Sequence, residues 1–399
     1  MMRENVDILI AGGGLAGLAA AAAFGHAGFS VLLADPGPQV VDEQAAGSDL
    51  RSTAFLQPAR ALFTEIGLWD RLAPHATPLN ALRIVDTAGW PPEITETRLF
   101  DAAELGDAPF GWNLTNGLTR REMLGFVARL PGVELAYGTG FRAMLRRSRE
   151  AIVTLSDGRQ IAVKLVIGAD GRASAVRQAA GIGTQITRYG QKALAFSATH
   201  PLAHHNISTE IYNQGGAFTT VPLPDHDGLP ASAIVWMNPG ARALDLAGMD
   251  APAFNAEMTA RSCGLLGPLA LATGRRVWPV VTQRADRLTA GRVALVAEAA
   301  HVLPPIGAQG LNTSLHDVAA LVDLAVADRA GLGGAAMLDA YAKARQRDIL
   351  LRARAIDLFN RVCKSGEAPV QALRRAGLRT VHDMVPLRRA VMRAGLGAH

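Results

Sequence analysis

Residues 6–35 read VDILIAGGGLAGLAAAAAFGHAGFSVLLAD, and the architecture turns on how this stretch is parsed. Val6 to Ile10 is a short unbroken apolar run, the pattern of a parallel strand buried on both faces. Leu15 to Ala27 is alanine-rich and predicts a helix, with Gly28 as its stop before a second apolar strand from Ser30 to Ala34. Between strand and helix stand Gly12, Gly14 and Gly17, spaced as GxGxxG. That spacing suits a tight turn at Gly12, close backbone approach to a pyrophosphate at Gly14, and tight helix-to-strand packing at Gly17. The helix N-terminus then faces the phosphates with its unsatisfied N–H groups.

Asp35 ends the second strand 18 residues after Gly17. A carboxylate there accepts hydrogen bonds from ribose hydroxyls and repels a 2′-phosphate, so FAD or NAD is favoured over NADP at this site. A lone GxGxxG is weak, but strand, helix and acid together outweigh a ligand-free glycine turn.

Working outward, helical periodicity returns at Ala59–Leu72 and Leu118–Leu130. Pro74 to Phe110 is rich in Pro, Thr and Asp and reads as strands and loops of a different domain. A hairpin is predicted around Asp157-Gly158, followed by a strong apolar strand ending at Gly168. From Thr187 to Val281 β-like segments alternate with one helix near Ala251–Leu265; Val293 to Val296 then resumes the buried-strand pattern, and from Ser314 the chain is nearly all helical. The expected fold class is therefore α/β. A Rossmann-like GxGxxG domain made of 1–75, 111–185 and 284–355 is interleaved with a β-sheet substrate domain of 76–110 and 186–283. A basic helical region, 356–399, closes the chain.

The chain has 399 residues, 49% of them hydrophobic, enough for a sizeable core in two or three domains. Its 40 Lys and Arg against 35 Asp and Glu leave +5, too diffuse an excess to argue for nucleic acid. Cys263 and Cys363 stand alone, without CxxC or histidine clusters, which fits a reduced cytoplasmic compartment and no metal site. The N-terminal apolar run breaks into glycines and does not read as a signal peptide, and no apolar stretch is long enough to span a bilayer. The positive charge concentrates in the last segment, where Arg374, Arg375, Arg379, Arg388, Arg389 and Arg393 face only Asp383. Leu373, Leu378, Val381, Leu387, Val391 and Met392 are interleaved with them. Such a tail fits either a solvated face packed on its own domain or peripheral contact with the inner, anionic face of a membrane.

Two further stretches carry chemistry. In LVIGADGRASAVRQAAGI, 165–182, a strand delivers Asp170 into a turn with Gly171, and Ser174 starts a helix that brings Arg177 near enough to compensate the carboxylate. In RVALVAEAAHVLPPIGAQGLNTSLHD, 292–317, Glu298 stands where a strand ends. Ala299 and Ala300 admit a ligand close to the backbone, Pro304 and Pro305 stiffen the loop, and Gly307 and Gly310 permit positive φ. Asn312, Thr313 or Ser314 can cap the helix that follows.

Taken in order and at these separations, the GxGxxG, GADGRASAVR and AEAAHVLPPIGAQGLN stretches resemble the single-component FAD-dependent aromatic hydroxylases, and within them the UbiH-type ubiquinone-biosynthesis monooxygenases. Further matches are Asp49-x-Arg51-Ser52-Thr53-Ala54, Asn116 before a helix with Arg120 and Arg121, Tyr189-x-Gln191, and Tyr341 with Arg345 and Asp348. The resemblance covers nearly the whole chain. It implies that Gly12, Gly14 and Gly17 hold the FAD pyrophosphate and Asp35 its ribose, and that Arg51 and Arg120 or Arg121 lie beside the cofactor. It also implies that Asp170 and Gly171 line the cavity near the pyrophosphate, that Glu298 faces the ribityl chain or pyrophosphate, and that Pro305, Gly307, Gly310, Leu311 and Asn312 lie against the isoalloxazine ring. The following helix N-terminus stabilises the anion of the reduced ring.

The implied reaction uses NAD(P)H as transient donor and molecular oxygen, forms a flavin hydroperoxide, and hydroxylates the ring of a polyprenylated phenol, alone or within a ubiquinone-biosynthesis complex. No protein nucleophile is required; His301 is a weak candidate base. The family pattern has Gly-Asp where this chain has Ala297-Glu298, a departure that bears on FAD affinity. Two rivals follow: a non-hydroxylating FAD oxidoreductase of polyprenyl reductase type, and a flavin-binding subunit of a biosynthetic complex.

Overall fold

A computed structural model describes residues 4–39 and 51–397; Asp49 lies outside them. The first sheet has eight strands. Across it run Thr289–Ala290, Val293–Leu295, Gln160–Gly168, Glu4–Ala11, Val31–Asp35 and Val133–Tyr137. The last five are parallel neighbours, and Ile10 sits at the centre, in register with Ile167 on one side and Leu33 on the other. Ile8, Leu9 and Ile10 are fully buried, as an unbroken apolar strand requires. The helix Leu15–His26 is apolar all round and is enclosed by the helices Asn116–Val127 and Gln309–Ala327.

The second sheet has nine strands. Its order is His301–Val302, Arg276–Ala285, Thr184–Thr199, Leu229–Pro239, Gly216–His226, Ile207–Asn213, Ala81–Ala88 and Glu93–Asp101. Alternation along Ile207–Asn213 divides its two faces. Ile211 points to a core with Phe218, Trp236 and Phe254, roofed by two helices, Gly240–Gly248 and Ala251–Arg261. Tyr212 points the other way, into a cluster with Tyr189, Met237, Leu303, Ile306, Ile356 and Cys363. That second face looks toward the loop 303–308 and the long helix Ala335–Lys364.

Several boundaries differ from the sequence reading. One helix was expected between strands here and two form, because Met249 leaves helical geometry and Asp250 starts a new cap, accepting the Ala253 N–H at 2.8 Å. Thr77–Leu79, expected in the substrate domain, belongs with Ser52–Leu56 and Gly111–Thr115 in a small third sheet, and not with the second sheet. His301–Val302, placed by sequence in the first domain, pairs with Arg284 and Gln283 of the second sheet. The helix Ala335–Lys364 runs unbroken through the expected boundary at 355.

The basic tail forms two helices, Ala368–Asp383 and Val385–Leu396. They dock on the edge of the second sheet through opposite charge. Arg374 pairs with the buried Asp86, Arg379 with Glu96, and Arg388 Nη2 lies 2.8 Å from Glu104. The far end reaches the first sheet's side, where Gln309 donates to the Gly395 carbonyl at 2.9 Å. Leu373, Met384, Val385 and Val391 remain exposed. No helix among the described residues is long and apolar enough to cross a membrane.

Candidate functional site

The glycine turn is built as its spacing demands. Gly12 has φ +109°, and a Cβ there would collide with the Ala169 carbonyl of the neighbouring strand. A Cβ at Gly17 would collide with the Gly12 carbonyl, so this glycine exists for packing. At Gly14, by contrast, a Cβ would meet nothing within 4 Å. The cradle is thus tight toward the protein and open toward the helix N-terminus, which has neither a side-chain cap nor an acidic residue in its first turn.

Asp35 stands at the end of the second strand, beside the glycine turn. Its carboxylate accepts the Gly13 N–H at 2.6 Å and the Gly37 N–H at 2.7 Å. Tyr137, which sequence reasoning missed, stands in register beside Asp35, and its hydroxyl donates to the Gly13 carbonyl at 3.3 Å. Arg120 lies 5.7 Å from the centre of the Tyr137 ring. Burial pushes the Tyr137 phenol up and Arg120 draws it part of the way back. Arg121 is exposed and pairs with Glu122 at 3.2 Å, so of the two arginines it is Arg120 that reaches this end.

The middle of the site is the turn at Asp170. Gly171 takes φ +79°, Ser174 caps the short helix by accepting the Arg177 N–H at 2.9 Å, and Asp170 accepts the Val176 N–H at 3.0 Å. Arg177 gives its donors to the Ala299 and Arg172 carbonyls, each at 2.9 Å. The pairing expected between Arg177 and Asp170 is replaced by a tie between the two loops, although Asp170 still acts on Arg177 through its charge. The second oxygen of Asp170 and the Nε of Arg120 are buried without a hydrogen-bond partner. Buried polar atoms of that kind call for one.

At the third stretch, Glu298 is exposed on a single helical turn, Ala297–Ala300, that follows the strand end. Ala297 itself has φ +55°, a left-handed conformation that glycine takes freely and alanine resists by about 1–2 kcal/mol. The surroundings hold it there. Asp317, completely buried, faces the Ala297 N–H at 3.3 Å, His301 Nε2 at 2.6 Å and Arg345 Nε at 2.8 Å. Burial alone would raise the Asp317 carboxyl, but His301 and Arg345 outweigh it and the net shift is downward. His301, the weak candidate base, is therefore buried and engaged with Asp317. Tyr341 adds a bond from its hydroxyl to the Leu295 carbonyl at 2.8 Å.

The helix after the loop starts at Gln309, earlier than expected, and the capping role read for Asn312, Thr313 or Ser314 is corrected. Gly307 at φ +61° and Ala308 at φ +55° turn the chain, with Ala308 in the cap position and no side-chain cap. Asn312 instead ties the helix to the Ser52–Leu56 strand, accepting the Leu56 N–H at 2.9 Å and donating to the Ala54 carbonyl at 2.7 Å. Gly310 lies inside the first turn. Pro305, Gly307, Ala308 and Gly310 are exposed and Leu311 half-buried, so the loop offers backbone outward while Ile306 anchors it in the second sheet's cluster. Arg51 reaches across to that sheet, 4.7 Å from the Trp278 ring.

An open glycine cradle, a carboxylate at the second strand end, two partnerless buried polar atoms and an uncapped helix N-terminus together fit an adenine dinucleotide bearing a flavin. Comparison with known proteins points the same way. Residues 5–350 match the FAD binding domain family. The chain is 35% identical over 394 residues to ubiquinone hydroxylase UbiL of Rhodospirillum rubrum, covering 98% of this chain and 89% of that one. It is 30% identical over 404 residues to 3-demethoxyubiquinol 3-hydroxylase of Escherichia coli, covering all of both. Among solved structures, p-nitrophenol 4-monooxygenase PnpA of Pseudomonas putida superposes with a TM-score of 0.80 over 98% of each chain, at 19% identity, a likeness of fold.

Proposed function

Because the chain belongs to the FAD binding domain family, we propose that it is an FAD-dependent monooxygenase that hydroxylates the aromatic ring of a polyprenylated phenol in ubiquinone biosynthesis. The observation that carries the substrate class is end-to-end similarity to two ubiquinone hydroxylases, one at 35% identity. FAD supplies the redox chemistry and the activation of oxygen, with NAD(P)H as transient donor.

The chain's own residues bind and orient. Gly12, Gly14 and the first turn of Leu15–His26 receive the pyrophosphate, Asp35 and Tyr137 the adenosine, and Arg120 and Asp170 find there the partners they lack within the protein. The exposed backbone of 305–310 lies along the flavin ring, and the uncapped N-terminus of Gln309–Ala327 stabilises negative charge on it. Behind the loop, the apolar face around Tyr212, Met237 and Ile356 keeps water from the reacting ring.

The test is genetic and isotopic. Deleting the gene accumulates a quinone precursor lacking one ring hydroxyl, and the purified holoprotein restores it with oxygen taken from labelled O2. NAD(P)H consumption without label in the product would identify a reductase instead.

Contact with an anionic membrane is the finer part of this proposal. Four of the tail arginines, Arg374, Arg375, Arg379 and Arg388, are used in docking, whereas Arg389 and Arg393 are exposed beside Val385 and Val391. A lipid substrate gives such a face a use. Co-sedimentation of the full chain with phosphatidylglycerol vesicles should fall on Arg389→Glu with Arg393→Glu; equal binding by the variant removes this surface from the proposal.

A further inference from the structure

The last tail helix, Val385–Leu396, ends against the cofactor loop. Met392 and Leu396, one turn apart, are buried. Gly397 closes the helix at φ +72°, where a Cβ would stand 2.9 Å from the His316 ring and 3.2 Å from the Arg352 guanidinium. The carbonyls of a helix's final turn have no partner within the helix. Here the Gly395 carbonyl finds one in the Gln309 side-chain amide, at 2.9 Å.

Gln309 is the first residue of the helix that follows the loop, and its side chain reaches three other elements. The same amide nitrogen donates its second proton to the Gly307 carbonyl at 2.9 Å, and the amide oxygen accepts from Arg352 Nη1 at 2.6 Å. Arg352 is itself fixed by Asp348 at 2.8 Å. The amide therefore has one orientation, with its oxygen toward the long helix and its nitrogen between loop and tail.

Gly307 and Ala308 are consecutive positive-φ positions, and an alanine resists that conformation. Two side chains hold the turn. The Asn312 amide, anchored on the Ser52–Leu56 strand, donates to the Ala308 carbonyl at 2.7 Å; the Gln309 amide is anchored on the tail. Of the two, it is Gln309 that carries the tail's position to the loop.

We propose that Gln309 is a positioning residue of the reaction, through which the C-terminal tail acts on the cofactor site: the docked helix Val385–Leu396 orients the amide, and the amide holds the Gly307 carbonyl and with it the 305–310 backbone against the flavin ring. This rests on the flavin lying along that loop and not on the identity of the phenol.

The experiment uses the FAD-loaded full chain. It compares Gln309→Met, which keeps the side chain's length and loses its three bonds, with Leu396→Asn, which puts a polar group into the buried seat of the tail. Neither adds a charge. The readouts are the visible absorbance and fluorescence of the bound flavin, and the FAD dissociation constant. Gln309→Met should shift the flavin bands and weaken FAD about fivefold, the scale of one lost hydrogen bond. Leu396→Asn should shift the bands in the same direction, whereas Leu396→Met, which conserves volume, should keep the wild-type spectrum. The double variant should be no worse than Gln309→Met alone, because both substitutions act through one chain of contacts. If Leu396→Asn does not fold, Glu104→Arg, which removes the Arg388 pair of the same helix, takes its place in the cycle. Additive effects, or a wild-type flavin spectrum in Gln309→Met, overturn the proposal. Gly310→Ala, whose methyl enters open space on the loop, separates this from the placement of the ring. Bands moved by Gly310→Ala but not by Gln309→Met defeat the role of Gln309 alone; bands moved by neither defeat the placement of the ring, and the role of Gln309 with it.

Discussion

His301 Nε2 and Asp317 Oδ2 lie 2.6 Å apart, and both side chains are buried almost completely. This bond joins the end of a two-residue strand to the third turn of the helix Gln309–Ala327, and Arg345 completes it from a third element at 2.8 Å. Removing the carboxylate leaves His301 without its partner and Arg345, a buried cation, with Asp348 as its remaining ion pair. Asp317→Asn should therefore destabilise the protein by about 3–5 kcal/mol in urea unfolding. A loss under about 1 kcal/mol would show that the cluster is solvated.

The same neighbourhood makes stability fall in mild acid. Burial, then Arg345 and Arg352, push His316 down to about 4. A histidine depressed in the folded state binds its proton more readily when unfolded, so its contribution is complete above about pH 6.5 and is lost as pH falls from there toward 4. His316→Gln should flatten the stability profile over that window, a difference on the order of 2 kcal/mol at its acid end. Asp317, held below the usual carboxylate range, contributes its own loss at more acid pH still.

Gly14 and Gly17 separate binding from folding. Gly14→Ala places its methyl in open space, so the apoprotein should keep its melting temperature while FAD affinity drops about tenfold by flavin titration. Gly17→Ala drives its methyl into the Gly12 carbonyl and should cost about 1–3 kcal/mol before any cofactor is added. Equal effects of the two on the apoprotein would remove Gly14 from the cradle.

Ala297 and Glu298 make a complementary pair of tests. Ala297→Gly relieves a left-handed alanine at some loss of unfolded-state constraint, and should leave a net gain of about 0.5–1 kcal/mol with flavin content unchanged. Glu298→Ala, at an exposed position, should lower flavin occupancy without lowering the apoprotein's stability. Full flavin content in that variant would mean the carboxylate does not face the cofactor.

What the sequence showed plainly was local. Gly12, Gly14, Gly17 and Asp35 work within one strand-helix-strand unit, so their spacing is their geometry, and the Asp170 turn with its Ser174 cap is local in the same way. What stayed hidden depends on partners far along the chain. Tyr137 matters because its strand happens to lie next to Asp35, and Asp317 because His301 and Arg345 reach it from two other elements. The early helix start at Gln309 was missed for another reason: the left-handed cap is Ala308, and alanine carries no turn signal. The tail was legible as basic and amphipathic, but which of its arginines are neutralised depended on Asp86, Glu96 and Glu104 arriving at the same sheet edge.

The short pairing of His301–Val302 with Gln283 and Arg284 has a mechanical consequence. With the Gln283 amide also donating to the Arg172 carbonyl at 2.9 Å, the two layers are tied twice at this strand, through its backbone and through a side chain. Rocking them apart would break strand pairing and expose a buried amide. The tail is held to the second sheet mainly by ion pairs, so its docking should loosen as ionic strength rises while the two layers stay joined.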